Sequence, residues 1–425
     1  MATKRHGKRS KESPAESEPA RLAAKRDDAA IITRRAADRL RAGHVWVYRS
    51  DVIAVPENPA GLLAVTDAHN AMLGTALYSP SSEIALRLIS RDQIASEVEW
   101  LQILQDRMRA AIAQRQDILS SAETNACRLI FSEADALPGL IADKYGELIV
   151  LQLLAKALDS EAVRIVATKV LKEALHPSVI VERPDARIRE LEQLTVPLDP
   201  APLYVRDDLA LQAQFLLNGL KFHYDAGAGQ KTGAFLDQRE NYAAAARHAH
   251  GDALDVCTYQ GGFALHLARA CSRVTGIDVS RTALEVAEKN LAVNRSALKA
   301  EVDWVEANAF DLLRDWSLSG AQYDTIVLDP PAFAKSKRAV EGALRGYKEL
   351  NLRALKMLRP GGVLVTCSCS HHVSLADFTA VIAAAAGDAG RRVRLIERRG
   401  AAADHPVILT IPETEYLKCL ICAVE

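Results

Sequence analysis

The chain has 425 residues, 49% of them hydrophobic and 25% charged, and its 53 basic side chains are offset by 54 acidic ones for a net charge of −1. That length buries a large core and divides into two or three domains. The balanced charge excludes a uniformly basic coat for nucleic acid, so any RNA-binding surface is a local patch.

No apolar run nears the ~20 residues of a membrane span, and no signal-peptide core opens the chain. Seven scattered cysteines, an odd number, point to reduced thiols and a cytoplasmic setting. Residues 1–28 hold a basic run (Lys4, Arg5, Lys8, Arg9, Lys11) with little apolar content. They read as a disordered arm, either a solubilising tail or a weak electrostatic contact with RNA phosphates.

Residues 29–95 form short strands punctuated by turn residues, the pattern of a small β-rich, barrel-like module. A helix there precedes Gly43-His44-Val45-Trp46-Val47-Tyr48, Ala64-Val65-Thr66-Asp67 and Gly74-Thr75-Ala76-Leu77-Tyr78. That order resembles a PUA domain, a small RNA-binding fold of RNA-modifying enzymes; the bland reading makes Trp46 and Tyr48 core aromatics. Residues 96–197 suit a small α+β connecting domain. It starts with a helix over 97–119 that places Trp100, Ile103, Met108, Ala111 and Ile112 on one side. A hairpin turning at Tyr145-Gly146, a helix over 160–175 and a strand over 178–182 follow.

Residues 198–425 begin β-rich, with an Asn218-Gly219 hairpin turn. Then comes GQKTGAFLDQREN (229–241), where Lys231, Phe235, Asp237, Gln238 and Arg239 crowd together. These side chains either rim a ligand cleft or form a helix start, with Asp237 near the cap and Arg239 on a solvated face. The next stretch, LDVCTYQGGFALHLARACSRVTGID, reads strand, glycine turn, helix, strand. Gly261 and Gly262 sit where a chain must turn sharply and let a ligand approach its backbone. Asp278 ends the second strand, where a carboxylate accepts both hydroxyls of a ribose. A dinucleotide would require G-x-G-x-x-G at that turn, and Cys257-Thr258-Tyr259-Gln260-Gly261-Gly262 lacks it. S-adenosylmethionine, with a ribose but no phosphate, needs only the acid and an open turn; a plain βαβ unit is the rival.

Beyond Asp278, Ser280 is expected to cap a helix carrying a Glu285–Lys289 pair. Strands over 302–306, 324–329 and 362–369 follow, the last after a helix stopped by Pro360-Gly361-Gly362. Two further strands, over 393–397 and 416–424, complete a doubly wound α/β sheet.

Ligands of such sheets bind beyond the carboxyl ends of the strands. Those ends hold Asp255 with the glycine turn, Asp278, Asn308-Ala309-Phe310, Asp329-Pro330-Pro331-Ala332-Phe333 and Cys367-Ser368-Cys369-Ser370. The set resembles class I S-adenosylmethionine-dependent methyltransferases, with a seven-stranded Rossmann-like domain. With GQKTGAFLDQR and the PUA-like module, it is similar to the bacterial large-subunit rRNA cytosine-C5 methyltransferase family.

The resemblance implies that Asp255, Cys257, Gly261 and Gly262 hold the methionine end of S-adenosyl-L-methionine, and Asp278 the ribose. It places Asn308 and Ala309 at the adenine, although the family usually has Asp at that position, and Phe235, Asp237, Gln238 and Arg239 beside the cofactor. Lys231, Pro330, Pro331 and Phe333 would contact the substrate base. Pro330 is not followed by cysteine, which leaves Cys369 as nucleophile, with a depressed thiol pKa, and Asp329 at the cytosine edge. The implied partner is large-subunit rRNA; no metal or membrane is expected, and a homodimer is compatible. Cys367, Cys369, His371 and His372 lack a second cluster for zinc. N-methylation of a base held by Asp-Pro-Pro-Ala-Phe and a non-catalytic ribosome-assembly role are the alternatives.

Overall fold

The computed structural model describes residues 28–195, 199–227, 234–334 and 336–425. The expectations for the basic arm and for Lys231 therefore lie outside the described residues. Four sheets organise the rest: six strands, five strands, a two-stranded hairpin and seven strands.

The six-stranded sheet spans Ala29–Ile32 to Ile84–Ser90, with helix Arg34–Arg41 packed on it. Thr33 caps that helix, accepting from the Ala36 N–H. Trp46 and Tyr48 are half-buried rather than core. The Trp46 indole N–H donates to Glu133 Oε1 at 2.8 Å in the connecting domain, and the Arg39 guanidinium lies 4.9 Å from the centre of the Tyr48 ring.

The five-stranded sheet contains Ala126–Phe131, the hairpin Leu140–Tyr145 and Leu148–Leu153, Val179–Glu182 and, from beyond residue 197, Ala201–Val205. Leu148–Leu153 is buried at every position, as a central strand covered on both faces must be. The expected helix over 97–119 is instead Glu97–Ala113 followed by Gln116–Leu119. Arg115 stands at the break and turns inward to Asp135, with N–O distances of 2.7 and 2.8 Å. Asn218 (φ 52°) and Gly219 (φ 81°) form the tight turn of hairpin Gln212–Leu217 and Leu220–Asp225.

In the seven-stranded sheet the spatial order is Glu301–Glu306, Arg273–Asp278, Asp252–Val256, Tyr323–Leu328, Leu358–Ser368, Lys418–Val424 and Val393–Arg399. The first five run parallel, and Lys418–Val424 is antiparallel to both of its neighbours. Ser280 caps helix Arg281–Asn294 as expected, accepting from the Ala283 N–H. Glu285, however, bonds Arg281 one turn back at 3.4 Å, leaving Lys289 to line a cleft. Pro360-Gly361-Gly362 does not form a loop between helix and strand. Helix Val340–Met357 passes directly into strand Leu358–Ser368, which starts early because Leu358 already pairs with Tyr323.

Candidate active site

Winding reverses between the neighbouring strands Asp252–Val256 and Tyr323–Leu328. A cleft of about 1340 Å³ opens beyond their carboxyl ends, the position that topology favours for a ligand. It gathers Phe235, Asp237, Gln238, Cys257, Asp278, Asn308, Ala309, Asp329, Pro330, Pro331, Phe333 and Cys369, residues scattered over 135 positions of chain (235 to 369).

On one side lie the strand ends that suit a nucleoside. Asp278 Oδ2 accepts from the Tyr259 N–H and Oδ1 from the Ser280 N–H, each at 2.9 Å. Each carboxylate oxygen retains acceptor capacity for a ribose hydroxyl. Val279 next to it is 71% exposed, and with Phe310 it presents an apolar wall for a planar base. Asn308 caps helix Ala309–Ser319, its amide oxygen accepting from the Phe310 and Asp311 N–H groups at 2.9 and 3.3 Å. That oxygen is thus occupied, and the side chain's remaining offer to a base is its NH2. The turn between the strands is strained: Cys257 (φ 64°) and Tyr259 (φ 52°) adopt left-handed conformations that non-glycine residues enter at a cost of about 1–3 kcal/mol. Thr258 N–H bonding to the Ile277 carbonyl at 2.8 Å holds that turn in place. These groups fit S-adenosylmethionine: an acid for its ribose, an apolar slot for its adenine, and no phosphate cradle.

The other side carries the thiol. Cys369 follows strand Leu358–Ser368, its Sγ 3.8 Å from the Pro330 carbonyl oxygen. Its neighbours are pinned. The Ser368 and Ser370 hydroxyls each lie 2.9 Å from the Tyr347 hydroxyl, and Ala334 N–H donates to Ser370 Oγ at 3.1 Å. The strand end and the Pro-Pro-Ala-Phe loop are therefore one unit. Phe333 is half-buried, its ring centre 4.8 Å from that of Tyr347 and 5.8 Å from that of Phe310. Gln238 Nε2 donates to Asp329 Oδ1 at 3.0 Å, and the Tyr416 hydroxyl donates to Asp237 Oδ2 at 2.6 Å. The thiol is not depressed as expected. Burial first, then the negative charges of Asp329 and Asp237, push Cys369 up to about 12.

Four expected cofactor residues do not line the cleft. Asp255 is fully buried beneath the turn, its Oδ2 accepting from Thr258 Oγ1 at 2.5 Å and from the Ala264 N–H at 2.8 Å. Burial raises this carboxyl to about 7. Gly262 instead lines a small pocket that shares Phe235, Cys257, Tyr259 and Asp329 with the cleft, and packing also demands glycine at both positions. A Cβ on Gly261 (φ +84°) would lie 2.9 Å from the Trp304 ring, and one on Gly262 only 2.5 Å from the Tyr242 ring. Arg239 is buried rather than solvated, its guanidinium bonded to both oxygens of Asp404 at 3.0 Å. It fixes the segment that carries Asp237 and Gln238.

Tyr416, Tyr347 and Lys418 went unnoticed in the sequence. Only Lys418 left a signal, a lone charge opening the apolar strand KCLICAV. Among the described residues no three His, Cys, Asp or Glu side chains gather as a metal site, and no helix is long and apolar enough to cross a membrane.

Comparison with known proteins agrees with this geometry. Residues 30–91 match the PUA-like domain family, and residues 198–411 match the S-adenosylmethionine-dependent methyltransferase family. Ribosomal RNA large subunit methyltransferase I of Pseudoalteromonas translucida is 36% identical over 91% of this chain and 96% of its own length. Its Escherichia coli counterpart is 35% identical over 90% and 95%. In fold, an S-adenosylmethionine-dependent methyltransferase structure from Streptococcus mutans superposes with a TM-score of 0.77 at 19% identity, covering 92% of this chain and 99% of that one. A PUA-like sheet, a doubly wound sheet with an acid-and-thiol cleft, and relatives matched along nine-tenths of the chain agree: this chain belongs to the S-adenosylmethionine-dependent methyltransferase family, in the group that includes ribosomal RNA large subunit methyltransferase I.

Proposed function

We propose that this protein methylates large-subunit ribosomal RNA at C5 of a cytosine, through a transient bond from Cys369 Sγ to C6 of the base. The names of its relatives support the RNA. The observation that carries the chemistry is the Cys369 thiol in the same cleft as Asp278 and Asp329, 3.8 Å from the Pro330 carbonyl. When bound, S-adenosylmethionine supplies the methyl group and, as a sulfonium, a positive charge to an acidic cleft.

Cytosine C5 is a weak nucleophile. Once the thiol has lost its proton, its addition to C6 forms the S–C6 bond and moves the C5=C6 electron pair toward C5 and N3. Asp329 meets the base edge at N3 and N4, where a shared proton offsets the charge that accumulates. Phe333 stacks on a base drawn out of its helix. After methylation, loss of the C5 proton returns its electron pair to the ring and expels Sγ.

RNA carrying 5-fluorocytidine tests this directly, because fluorine cannot leave as a proton. Wild-type protein should form a denaturant-stable adduct, and Cys369→Ala should form none while still binding S-adenosylmethionine. A Cys369→Ala variant that still produces 5-methylcytidine overturns the reading.

The raised Cys369 thiol favours a second reading, N-methylation of a base held by Asp329 and Pro330, which needs no thiolate. Nucleoside mass spectrometry of the modified RNA separates the two products.

A further inference from the structure

We propose that Lys418 is a positioning residue for Cys369: its buried ammonium ties the thiol-bearing strand end to the Tyr416 backbone and supplies the positive charge beside the thiol. This inference rests on the reading of Cys369 as nucleophile.

Lysine is rarely buried without a partner. Lys418 is only 6% exposed, yet it opens the last strand of the sheet, opposite Ser368 in the antiparallel pair. Its Nζ donates to the carbonyl oxygens of Ser370 and Tyr416, each at 2.8 Å, and among the described residues it forms no ion pair with a carboxylate. One carbonyl belongs to the residue after Cys369. The other belongs to the residue whose hydroxyl holds Asp237. The ammonium therefore joins the thiol strand and the acid side of the cleft through two backbone atoms, and Glu415 acts on its charge only at longer range.

The groups that face the thiol are Asp329, Asp237, Tyr416, Tyr347 and Lys418, and of these Lys418 carries the positive charge. Lys418 in turn faces Cys369, Glu415 and His371. Burial lowers the ammonium to about 8, against the opposing pull of Cys369 and Glu415. It is thus charged at neutral pH and neutral in mild alkali. A buried cation without a close carboxylate is costly, and a thiolate formed next to it relieves that cost.

The test compares the alkylation rate of Cys369 by iodoacetamide, read by peptide mass spectrometry, in the full-length protein, Lys418→Gln and Lys418→Arg. Glutamine keeps an N–H donor for a carbonyl but removes the charge; arginine keeps both. At pH 7 the Gln variant should react about tenfold more slowly, the effect of one pKa unit on the thiolate fraction. The gap between wild type and Gln should close above about pH 8, where the wild-type ammonium titrates. The Arg variant should match wild type at pH 7 and react faster than it above about pH 8, because a guanidinium keeps its charge there. Equal rates at pH 7, a ratio independent of pH, or an Arg variant as slow as Gln would each overturn the proposal. The readout requires no turnover, so it stays informative even if Cys369→Ala remains active and the nucleophile reading falls.

Discussion

Replacing Asp404 by Asn should loosen the segment that closes the back of the site, and the size of the effect follows from its burial. Asp404 is 1% exposed, and it receives two bonds from Arg239 at 3.0 Å and one from the Arg128 N–H at 2.8 Å. Removing one charge of a buried, hydrogen-bonded pair costs about 3–5 kcal/mol, and here, among the described residues, the guanidinium left behind keeps only the half-exposed Glu240 at 3.5 Å. Expressed as an opening equilibrium, that is a factor of about 150 to 5,000. Hydrogen–deuterium exchange reads it locally: amides of residues 400–417 and of strand Ala126–Phe131 should exchange faster by that order. Adding Arg239→Met to Asp404→Asn removes the stranded guanidinium and should recover part of the protection. Burial raises the Asp404 carboxyl, but His405 and Arg239 outweigh it and hold the group well below the usual carboxylate range. Its contribution is therefore complete above the unfolded carboxylate pKa of about 4 and fades as pH falls below it; the Asn variant should lack that acid-dependent step. An increase below tenfold, or a double variant no better protected than the single one, would refute the argument.

Three further outcomes concern the cleft and the turn beside it. Asp278→Ala should weaken S-adenosylmethionine binding by about 10- to 150-fold, the value of a hydrogen bond to a charged group, measurable by calorimetry; unchanged affinity would remove Asp278 from the ribose. Gly262→Ala should lower stability by about 1–3 kcal/mol through overpacking against Tyr242, seen as a lower unfolding temperature, whereas Tyr242→Leu combined with it should restore part of the loss. Asp255, raised to about 7 in the folded chain, binds a proton more tightly folded than unfolded. Its contribution should therefore decline as pH rises from about 4 to 7, and Asp255→Asn should flatten the pH dependence of stability in that window. A slope equal to wild type would contradict the assignment.

Where the cleft lies, and which strand ends reach it, was readable because both depend on local pattern. Apolar strands alternating with helices require a doubly wound sheet, and the residues just beyond such strands must line its carboxyl edge. Asp278, Asp329 and Cys369 were found that way. What was not readable depends on partners distant in sequence. Arg239 looks like a solvated helix residue until Asp404, 165 residues later, folds onto it. The packing demand on the glycine pair is invisible as well, because Tyr242 and Trp304 fill the space that a Cβ would need. A thiol's proton affinity cannot be read from its neighbours in sequence either. Burial raises that of Cys369 most, and Asp329 and Asp237 add to it across the cleft from 40 and 132 positions away.

The same distant contacts explain why a methyltransferase sheet here carries two other domains against it. The segment from Ala402 to Lys418 touches all of them. Its Glu413 carboxylate meets the His44 ring at 3.0 Å in the PUA-like sheet, and its Asp404 backbone carbonyl accepts from Arg115 at 3.0 Å in the connecting domain. Within the methyltransferase sheet, the Ala402 N–H donates to the Asp237 carbonyl at 2.8 Å, and Tyr416 holds the carboxyl of that same residue. Asp237 and its neighbour Gln238, which bonds Asp329, are thereby placed by a strap whose other anchors lie outside the catalytic sheet. Loosening one of these anchors would therefore free the strap rather than one side chain. The buried pairs along it, Arg115 with Asp135 and Arg239 with Asp404, give little net stability relative to apolar packing. Their geometry, each guanidinium gripping both carboxylate oxygens, instead favours one docking arrangement, the one in which Asp237, Gln238, Asp329 and Cys369 line a single cleft.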